Sequence, residues 1–441
     1  MKRNRCLIAL TLCVGSILVG AWLLARQPHT AQADPGTLFV ATDGNDANDC
    51  STVVNRCRTV QRAVNLAAEG GIIKVSAGTY TDTHTVSGLG DVVVELTKSV
   101  TLRGGYDASF GDPPDRDVNP TVLDAEGAGR VLYVGGAGPT IENFIITGGY
   151  SDYSGGGIYV DSASPTILHN YIAHNLADGD GGAIWVNGGS AQILSNCVIS
   201  NTATWSGGLR IINDADVVIA ANQILTNVAQ ISGGGIDVDC CGGTTPLIEG
   251  NVIAYNDGGS RGGGIIVNTT NGMLINNILA HNEATEGAGI DLEGMLTHPV
   301  SVTLVHNTMV GDPVADEGIR VEEYVTATLV NNIIANYLIA MTNTVPASST
   351  VTANYTLFDG NVKDYGTGVS SSNEVSGDPA FVAPAEGNYH IGSSSVAIDA
   401  GVDAGVAGDI DGDPRPIGLA PDIGADEAHL RVYLPLVLKK Y

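Results

Sequence analysis

Basic and aromatic side chains are both scarce in this chain. Lys and Arg together number 20 against 47 Asp and Glu, which gives a formal net charge of -27, and aromatic residues make up 5 % of the sequence. A nucleic-acid-binding protein carries the opposite charge balance, so we exclude that class of partner, and an anionic membrane would repel the main body. Cys-x-x-Cys pairs and His clusters are also lacking, which excludes the usual structural zinc sites.

Apolar and glycine residues are plentiful instead. The apolar fraction is 44 %, and 58 of the 441 residues are Gly. A disordered chain lacks this Ile, Val and Leu content. Gly is costly inside helices, so a compact helical protein is also disfavoured. The composition therefore predicts a core of small and β-branched residues.

The N-terminus has the features of an export signal. A basic stretch over residues 1–5 precedes an apolar run over residues 6–25, and the small-residue pattern Ala31-Gln32-Ala33 follows. We expect cleavage after residue 33 and a location outside the cell or on its surface. An uncleaved membrane anchor is the alternative, because 20 apolar residues can span a bilayer.

Five cysteines follow the signal. In an exported chain, Cys50 and Cys57 are predicted to close a short loop as a disulfide. Cys197 lies in an apolar stretch and is expected to be a small core residue. The adjacent Cys240 and Cys241 are compatible with a vicinal disulfide or with free thiols.

A repeat of about 26 residues dominates the sequence. Gly-rich starts followed by short apolar runs recur at residues 155, 181, 207, 233, 262 and 287, with a degenerate copy at 316. A second anchor recurs in each unit and is predicted to form one structural row: Asn143, Asn170, Asn196, Asn222, Asn251, Asn277, Asn307 and Asn331.

Each unit predicts short strands separated by turns. Its apolar runs of three to five residues are too short for helices and rich in Ile and Val. One unit cannot bury its own apolar face, whereas stacked units with parallel strands bury a continuous core. Asn tolerates left-handed backbone geometry, and its amide can bond to the Asn of the next coil. The sequence therefore predicts a parallel β-helix with an Asn ladder.

The Gly-Gly-Ala-Ile starts and Ile-x-x-Asn anchors over about residues 155–336 resemble the right-handed parallel β-helix repeats of the pectate-lyase-like superfamily. They also resemble the repeats of chlamydial polymorphic outer-membrane proteins. The resemblance implies an all-β, right-handed solenoid. Residues 58–68 carry apolar side chains at helical spacing, which predicts an N-terminal capping helix across the first coil.

Five regions follow from these patterns. The segments GDPAFV, AIDAG, DIDGDPRPIG and PDIGADE, within residues 377–427, resemble the "choice-of-anchor Q" region of bacterial surface proteins. The predicted regions are a signal peptide (1–33), an N-terminal cap and first coil (34–80), β-helix repeats (81–337), C-terminal coils with the choice-of-anchor Q-like region (338–427) and a tail (428–441).

The outward side of the Gly-preceded strands is the predicted carbohydrate-binding face. Tyr159 and Trp185 are placed one coil apart, where their rings could stack on sugar rings. In the third unit we place Ile211 and Asn213 outward and Ile212 inward, and Arg210 breaks the inward pattern. The acids expected to share the face are Asp237, Asp239, Asp291 and Glu293. A solvated face without a ligand is the alternative.

Catalysis on this face is a further hypothesis. In the lyases that the repeats resemble, a Ca²⁺ ion neutralises a uronate carboxylate and an Arg or Lys takes the α-proton. Asp237, Asp291 and Arg320 are the candidates for such roles here. No run of residues matches the motif of a known lyase, polygalacturonase or pectin methylesterase closely.

Alternating carboxylates form the sharpest candidate for a metal site. Asp409, Asp411 and Asp413 alternate around Gly412, a spacing that can turn several carboxylates toward one Ca²⁺ ion. An Asx-rich turn without metal is the alternative. The sequence therefore establishes no cofactor, and Ca²⁺ is the one that remains a candidate.

These patterns favour a noncatalytic secreted or cell-surface protein. We expect a monomer that binds polysaccharide or cell-envelope components, or mediates adhesion, with membrane contact only through the signal or the C-terminal tail. The alternatives are a polysaccharide lyase or glycoside hydrolase acting on a uronate-containing glycan, and a structural envelope component without a ligand.

Overall fold

The computed structural model describes residues 36–213, 215–239, 244–312 and 317–428. The predicted signal segment, the Cys240–Cys241 pair and the tail after Ala428 lie outside these ranges. Within them, no helix has both the length and the apolar character needed to cross a membrane.

The chain winds as a right-handed parallel β-helix with three long sheets along its axis. Within a sheet, each strand pairs in parallel with the equivalent strand of the next coil, as Ile158 pairs with Ile184. We number the sheets 1 to 4 and list their strands in spatial order.

Within the described residues, sheet 1 has 13 strands. They are Thr37–Val40, Ile72–Ser76, Thr101–Tyr106, Thr140–Glu142, Thr166–Leu168, Gln192–Leu194, Val218–Ala220, Leu247–Glu249, Gly272–Ile275, Val300–Val305, Val325–Val330, Thr350–Asn354 and Val369–Ser372. Sheet 2 has 12 strands in the part of the chain that the structure describes. They are Gly78–Tyr80, Thr121–Asp124, Ile145–Thr147, Tyr171–Ala173, Cys197–Ile199, Gln223–Leu225, Val252–Ala254, Ile278–Ala280, Thr308–Val310, Ile333–Ala335, Leu357–Asp359 and Val375–Ser376.

Sheet 3 also has 12 strands among the residues described. They are His84–Val86, Gly90–Leu96, Arg130–Gly135, Ile158–Asp161, Ile184–Asn187, Leu209–Ile212, Ile236–Asp239, Ile265–Asn268, Ile290–Glu293, Glu317–Val321, Ile339–Asn343 and Lys363–Tyr365. The first of these strands pairs antiparallel with the second. Sheet 4 is short, with strands Tyr150–Ser151, Leu176–Asp180, Thr202–Trp205 and Val228–Ser232, and it lies on the connections from sheet 2 to sheet 3.

An aliphatic core fills the interior of the rod. One continuous cluster of buried Ile, Val, Leu and Ala side chains extends from Val40 to Phe358. These side chains alternate with outward residues along each strand, as the period of a β-strand requires. The rod continues through Ser376, so further coils follow the repeats predicted to end at residue 337.

Two rows of buried Asn side chains run along the corners of the rod. Each Asn Oδ1 accepts hydrogen bonds from the backbone N–H and the Nδ2 of the Asn one coil earlier, at 2.8–3.1 Å from Asn170 to Asn196 and from Asn196 to Asn222. The first row consists of Asn170, Asn196, Asn222, Asn251, Asn277, Asn307 and Asn332. The second row consists of Asn175, Asn201, Asn227, Asn256 and Asn282.

The two ends of the predicted ladder need correction. Phe144, not Asn143, donates its backbone N–H to Asn170, and Asn332, not Asn331, follows Asn307. Asn143 and Asn331 instead occupy the turn position just before the row, where the backbone is left-handed. The ladder and the left-handed turn are therefore neighbouring positions rather than one.

One short helix, Val60–Leu66, covers the first coil. Thr59 caps its N-terminus, and Val60, Ala63 and Val64 are buried against the first strands. The helix is shorter than the predicted span of residues 58–68. Cys50 and Cys57 form a disulfide beside it. Cys197 is buried as expected, and it is also disulfide-bonded.

The C-terminal segment folds back along the flank of the rod. After an antiparallel pair, Phe381–Ala383 and Asn388–Ile391, joined through the 3-10 turn Pro384–Glu386, the chain returns over sheet 2. Gly424 donates its backbone N–H to the Asn331 carbonyl, and Asn276 Nδ2 donates to the Gly408 carbonyl. The side chain of Arg415 is fully buried and pairs with that of Glu427 at 3.0 Å. This segment is therefore packed against several coils at once.

Candidate functional site

The predicted carbohydrate-binding face lies on sheet 3. Its outward side chains form one in-register row, which we call the outer row: Tyr133, Tyr159, Trp185, Arg210, Asp237, Ile266, Asp291 and Arg320. The rings of Tyr133, Tyr159 and Trp185 stack along it, with centroids 5.4 and 4.5 Å apart.

The connections from sheet 2 to sheet 3 close this face. We call them the covering loops: residues 149–156, 176–182, 202–207, 228–234, 257–263 and 283–288. Five of the six loops end near a Gly that lies directly on an outer-row side chain, the exception being residues 202–207, and a Cβ on Gly181 would come within 2.9 Å of Trp185 Cβ. Tyr159 and Trp185 keep only 7 % exposure each. Their faces are therefore unavailable to a sugar, and this part of the prediction is wrong.

Arg210 corrects the predicted register of the third unit. Sheet pairing sets Leu209 opposite Ile184 and Arg210 opposite Trp185. Ile211 therefore points into the core, while Arg210 and Ile212 point outward. The inward and outward positions of the third unit are shifted by one residue from the prediction, because its strand begins at Leu209, directly after Gly208. Asn213 takes a left-handed turn position.

Arg210 neutralises the acids next to it in the outer row. Its guanidinium forms a short ion pair with Asp237 and a second with Asp239 at 3.0 Å. Burial raises the pKa of Asp237 to about 6, although the charge of Arg210 opposes that shift. Asp237 is 1 % exposed, so its carboxylate bonds to protein and not to a solvent ligand.

A second ionic cluster lies further along the same face. Arg261, from a covering loop, contacts Asp291 and Glu293 at 2.8 Å each and Glu322 at 3.0 Å. Asp291 is fully buried, and burial raises its pKa. The four acids predicted to bind sugar or metal here are therefore engaged by arginines.

Arg320 does not fit the predicted role of proton acceptor. Its guanidinium pairs with Glu286 at 2.7 Å and with Glu322 at 3.4 Å. Burial lowers the pKa of Arg320, but the bond to Glu286 and the surrounding carboxylates raise it further than burial lowers it. A protonated guanidinium held in this way has no free site for an α-proton.

The predicted Ca²⁺ ligands Asp409, Asp411 and Asp413 are not brought together. Asp409 Oδ1 accepts the backbone N–H groups of Asp411 and Asp413, and its Oδ2 accepts that of Glu427. This carboxylate organises an Asx-type turn. Among the described residues, the His, Cys, Asp and Glu group whose ligand atoms do converge is His390, Asp411 and Asp426.

An open cavity of about 490 Å³ lies where the C-terminal segment meets the rod. We call it the side cleft; its wall on the rod includes His281, Asn336 and Asp359, and its other wall includes Asp378, Phe381 and Tyr389. The volume is in the range of pockets that bind small molecules.

Aromatic rings lie on both walls of the side cleft. His281 stacks on Tyr255 of the preceding coil, with centroids 5.3 Å apart and planes inclined by 12°. Tyr389 lies 6.1 Å from His281, and Phe381 packs edge-on against Tyr389 at 5.4 Å. His281 Nδ1 is 2.8 Å from Asp312 Oδ1, which fixes the orientation of the imidazole.

Carboxylates also lie on both walls, Asp359 on the rod and Asp378 on the C-terminal segment. Asp359 is half-buried, and its pKa is raised by burial and by the negative charge of Asp378. Asp312 also borders a second cavity of about 380 Å³, together with Asp257 and Glu283. The His281–Asp312 pair thus connects two acidic cavities along the corner of the rod. Aromatic faces beside hydrogen-bond acceptors suit a hydroxyl-rich ring compound.

The sequence analysis missed the side cleft because its walls lie far apart in the chain. Residue 281 is in the repeats, whereas residues 378–389 are in the C-terminal segment. One signal in the sequence points to His281: like His174, it directly precedes an Asn of the second row, and this shared turn position favours a stacking role for the ring.

Comparisons with known proteins agree with this architecture. Residues 119–282 match the protein family described as "Right handed beta helix region". The chain is a right-handed parallel β-helix repeat protein. Its sequence matches no curated protein significantly.

Solved structures with this fold include polysaccharide-cleaving enzymes. The β-helix is similar to pectate lyase Pel9A, with a TM-score of 0.58 and 15 % identity over 89 % of this chain and 96 % of that one. The GH136 lacto-N-biosidase from Eubacterium ramulus gives a TM-score of 0.39 and 11 % identity over 76 % of this chain and 68 % of that one. An alginate lyase from Paenibacillus gives a TM-score of 0.37 and 14 % identity over 76 % of this chain and 99 % of that one. At 15 % identity, the similarity to pectate lyase Pel9A shows a shared fold alone. The other two structures have TM-scores below 0.5, so no conclusion is based on them.

Proposed function

We propose that this β-helix is a noncatalytic protein of the cell exterior that binds a neutral polysaccharide in the side cleft. The observation that carries the proposal is that His281, held by stacking on Tyr255, meets Tyr389 and the carboxylates of Asp359 and Asp378 in one open cavity. Stacked rings can hold the apolar face of a sugar, and carboxylates can accept hydrogen bonds from its hydroxyls.

The charge of the cleft selects among glycans. Asp257, Glu283, Asp312, Asp359 and Asp378 line the two connected cavities, and the whole chain carries a net charge of -27. A polyuronate would bring like charges into this field and be repelled. A neutral hexose or pentose polymer pays no such penalty, so we propose it in place of a uronate-containing glycan.

A glycan array followed by calorimetric titration of the best neutral ligand tests this function. His281→Ala is expected to weaken binding about two- to tenfold, the value of one ring contact. Asp378→Asn is expected to weaken it about tenfold, because a charge-assisted hydrogen bond is lost. His174→Ala is the matched control, since His174 has the same left-handed turn position but is exposed on an earlier coil. Binding confined to polyuronates, or equal affinity of the His281 and His174 variants, would contradict the proposal.

Glycoside hydrolysis is the second candidate function. The raised pKa of Asp359, caused by burial and by Asp378, is the property that a general acid beside a second carboxylate requires. Release of reducing ends from a bound neutral glycan, abolished by Asp359→Asn but not by His174→Ala, would favour this reading. Binding without any release would favour the noncatalytic one.

A further inference from the structure

A cluster of three metal-ligating side chains lies on the C-terminal segment, outside the side cleft. One ligand atom from each of His390, Asp411 and Asp426 lies within 4.8 Å of the other two. His390 belongs to the strand Asn388–Ile391, whose alternate residue Tyr389 faces the side cleft. The three side chains therefore join this strand to the loop at Asp411 and to the end of the C-terminal segment.

The hydrogen bonds of Asn388 fix the tautomer of His390. Asn388 Oδ1 accepts the backbone N–H of His390 at 3.1 Å, and a backbone N–H can only donate, so the atom at that position is the oxygen. The same Oδ1 lies 2.6 Å from His390 Nδ1. Nδ1 therefore carries a hydrogen and donates it to Asn388.

The remaining ring nitrogen faces a carboxylate. His390 Nε2 lies 2.8 Å from Asp411 Oδ2. With the hydrogen on Nδ1, a neutral imidazole presents a lone pair at Nε2, and an ionised carboxylate offers only lone pairs as well. Two acceptors at this distance repel unless a positive charge lies between them. That charge is either a proton on Nε2 or a metal ion.

Asp426 supplies a third ligand and favours the metal. Its side chain is held by the backbone N–H of Ile391, which donates to Oδ2 at 2.7 Å, and the residue is only 6 % exposed. The three ligand atoms converge to within 4.8 Å of one another, so small side-chain shifts, with the 2.8 Å His390–Asp411 contact opening to about 3.3 Å, place all three at about 2.0–2.2 Å from one tetrahedral ion. One imidazole nitrogen with two carboxylate oxygens suits Zn²⁺, whereas Ca²⁺ takes oxygen ligands alone.

We propose that His390, Asp411 and Asp426 bind a Zn²⁺ ion, with Asn388 as the positioning residue that orients the imidazole. A metal-bound His commonly donates its other ring N–H to an oxygen in this way. Asp411 is exposed, which leaves solvent access for a water as the fourth ligand. The ion ties the strand behind Tyr389 to the rest of the C-terminal segment, so it stabilises the outer wall of the side cleft.

Titration of the chelator-stripped, purified protein with Zn²⁺ at neutral pH tests this site. We expect one equivalent to bind and to raise the melting temperature. Co²⁺ in place of Zn²⁺ should give the visible absorption of a low-coordinate nitrogen- and oxygen-bound ion. His390→Gln and Asp411→Asn should abolish stoichiometric binding, and Asn388→Ser should weaken it about ten- to hundredfold. Glu386→Gln is the control, because Glu386 is an exposed acid on the adjacent turn.

The outcomes separate the site from its alternatives. Absence of stoichiometric Zn²⁺ binding in the wild-type protein would show that a proton occupies the position between Nε2 and Asp411, and would overturn the proposal. Binding that persists in both His390→Gln and Asp411→Asn would place the metal elsewhere and would also overturn it. Glycan binding is measured separately, so failure of the metal site leaves the proposed function standing.

Discussion

Replacing one Asn in the middle of the first row should have a large and local effect. Asn222 lies between Asn196 and Asn251 and is 1 % exposed. Its Oδ1 accepts the backbone N–H of Asn196 at 2.8 Å, and its Nδ2 donates to the carbonyl of Ile193 at 2.8 Å. Asn222→Leu keeps a similar volume but can make neither bond.

The expected cost follows from those two groups. The Asn196 amide is left without its acceptor in a water-free corner, and the Ile193 carbonyl loses a donor. A buried polar group deprived of its partner costs about 1–3 kcal/mol, so the free energy of unfolding should fall by about 2–6 kcal/mol. That is a large share of the stability of a typical protein, about 5–15 kcal/mol.

Denaturant unfolding followed by circular dichroism, combined with amide hydrogen exchange, measures this effect. Because stacked repeats can open locally, loss of protection should concentrate in the coils that flank residue 222. Gln192→Leu is the control, since Gln192 is exposed on sheet 1 of a neighbouring coil and should change stability by less than about 0.5 kcal/mol. Equal stability of the two variants would refute the reasoning that the Asn row holds the coils together.

Three further predictions concern charge and crosslinking. Arg210→Met removes the guanidinium from the buried Asp237 and should cost about 3–5 kcal/mol at pH 8. Arg210 opposes the burial that raises the pKa of Asp237 to about 6 in the wild type, so without Arg210 the folded variant takes up this proton at a higher pH. The variant's deficit should therefore shrink as the pH falls from 8 toward 6, where Asp237 becomes neutral in both proteins, as denaturation across pH will show. Burial lowers the pKa of His306 to about 3, so its stabilising contribution is present above pH 6.5 and lost as pH falls toward 3. Hydrogen exchange should then show the C-terminal segment releasing first in acid, and no change in its protection down to pH 4 would contradict this. Reduction of Cys50–Cys57 should lower stability by about 2–3 kcal/mol, measured by unfolding with and without reductant, because the closed loop is short.

The repeat made the fold predictable because its units are chemically redundant. Asn170, Asn196 and Asn222 recur at a constant interval, so the sequence indicates which atoms of successive coils meet. Where a unit is irregular, the sequence predicts the position of the Asn that enters the row only to within one residue. Asn331 and Asn332 are adjacent, and only strand pairing shows which of them enters the row.

The site was less predictable because its accessibility depends on segments without a strong pattern. The covering loops are short and polar, and nothing in their composition indicates that they fold back over Tyr159 and Trp185. The side cleft depends on the C-terminal segment docking on the rod, through contacts such as that of Asn276 with Gly408. Such contacts join residues more than a hundred positions apart, and no local periodicity encodes them.

The Asn rows also give the rod a direction and a unit of growth. Within a row, an Asn accepts hydrogen bonds from the Asn of the coil before it and donates to the Asn of the coil after it. If one coil is removed, the coils on either side of it can therefore make the same hydrogen bonds to each other. A gene that loses or duplicates one whole 26-residue coil keeps the Asn rows in register, whereas a shift of a single residue places an Asn amide opposite an aliphatic side chain. Length can therefore drift over evolutionary time while the two ends stay unchanged.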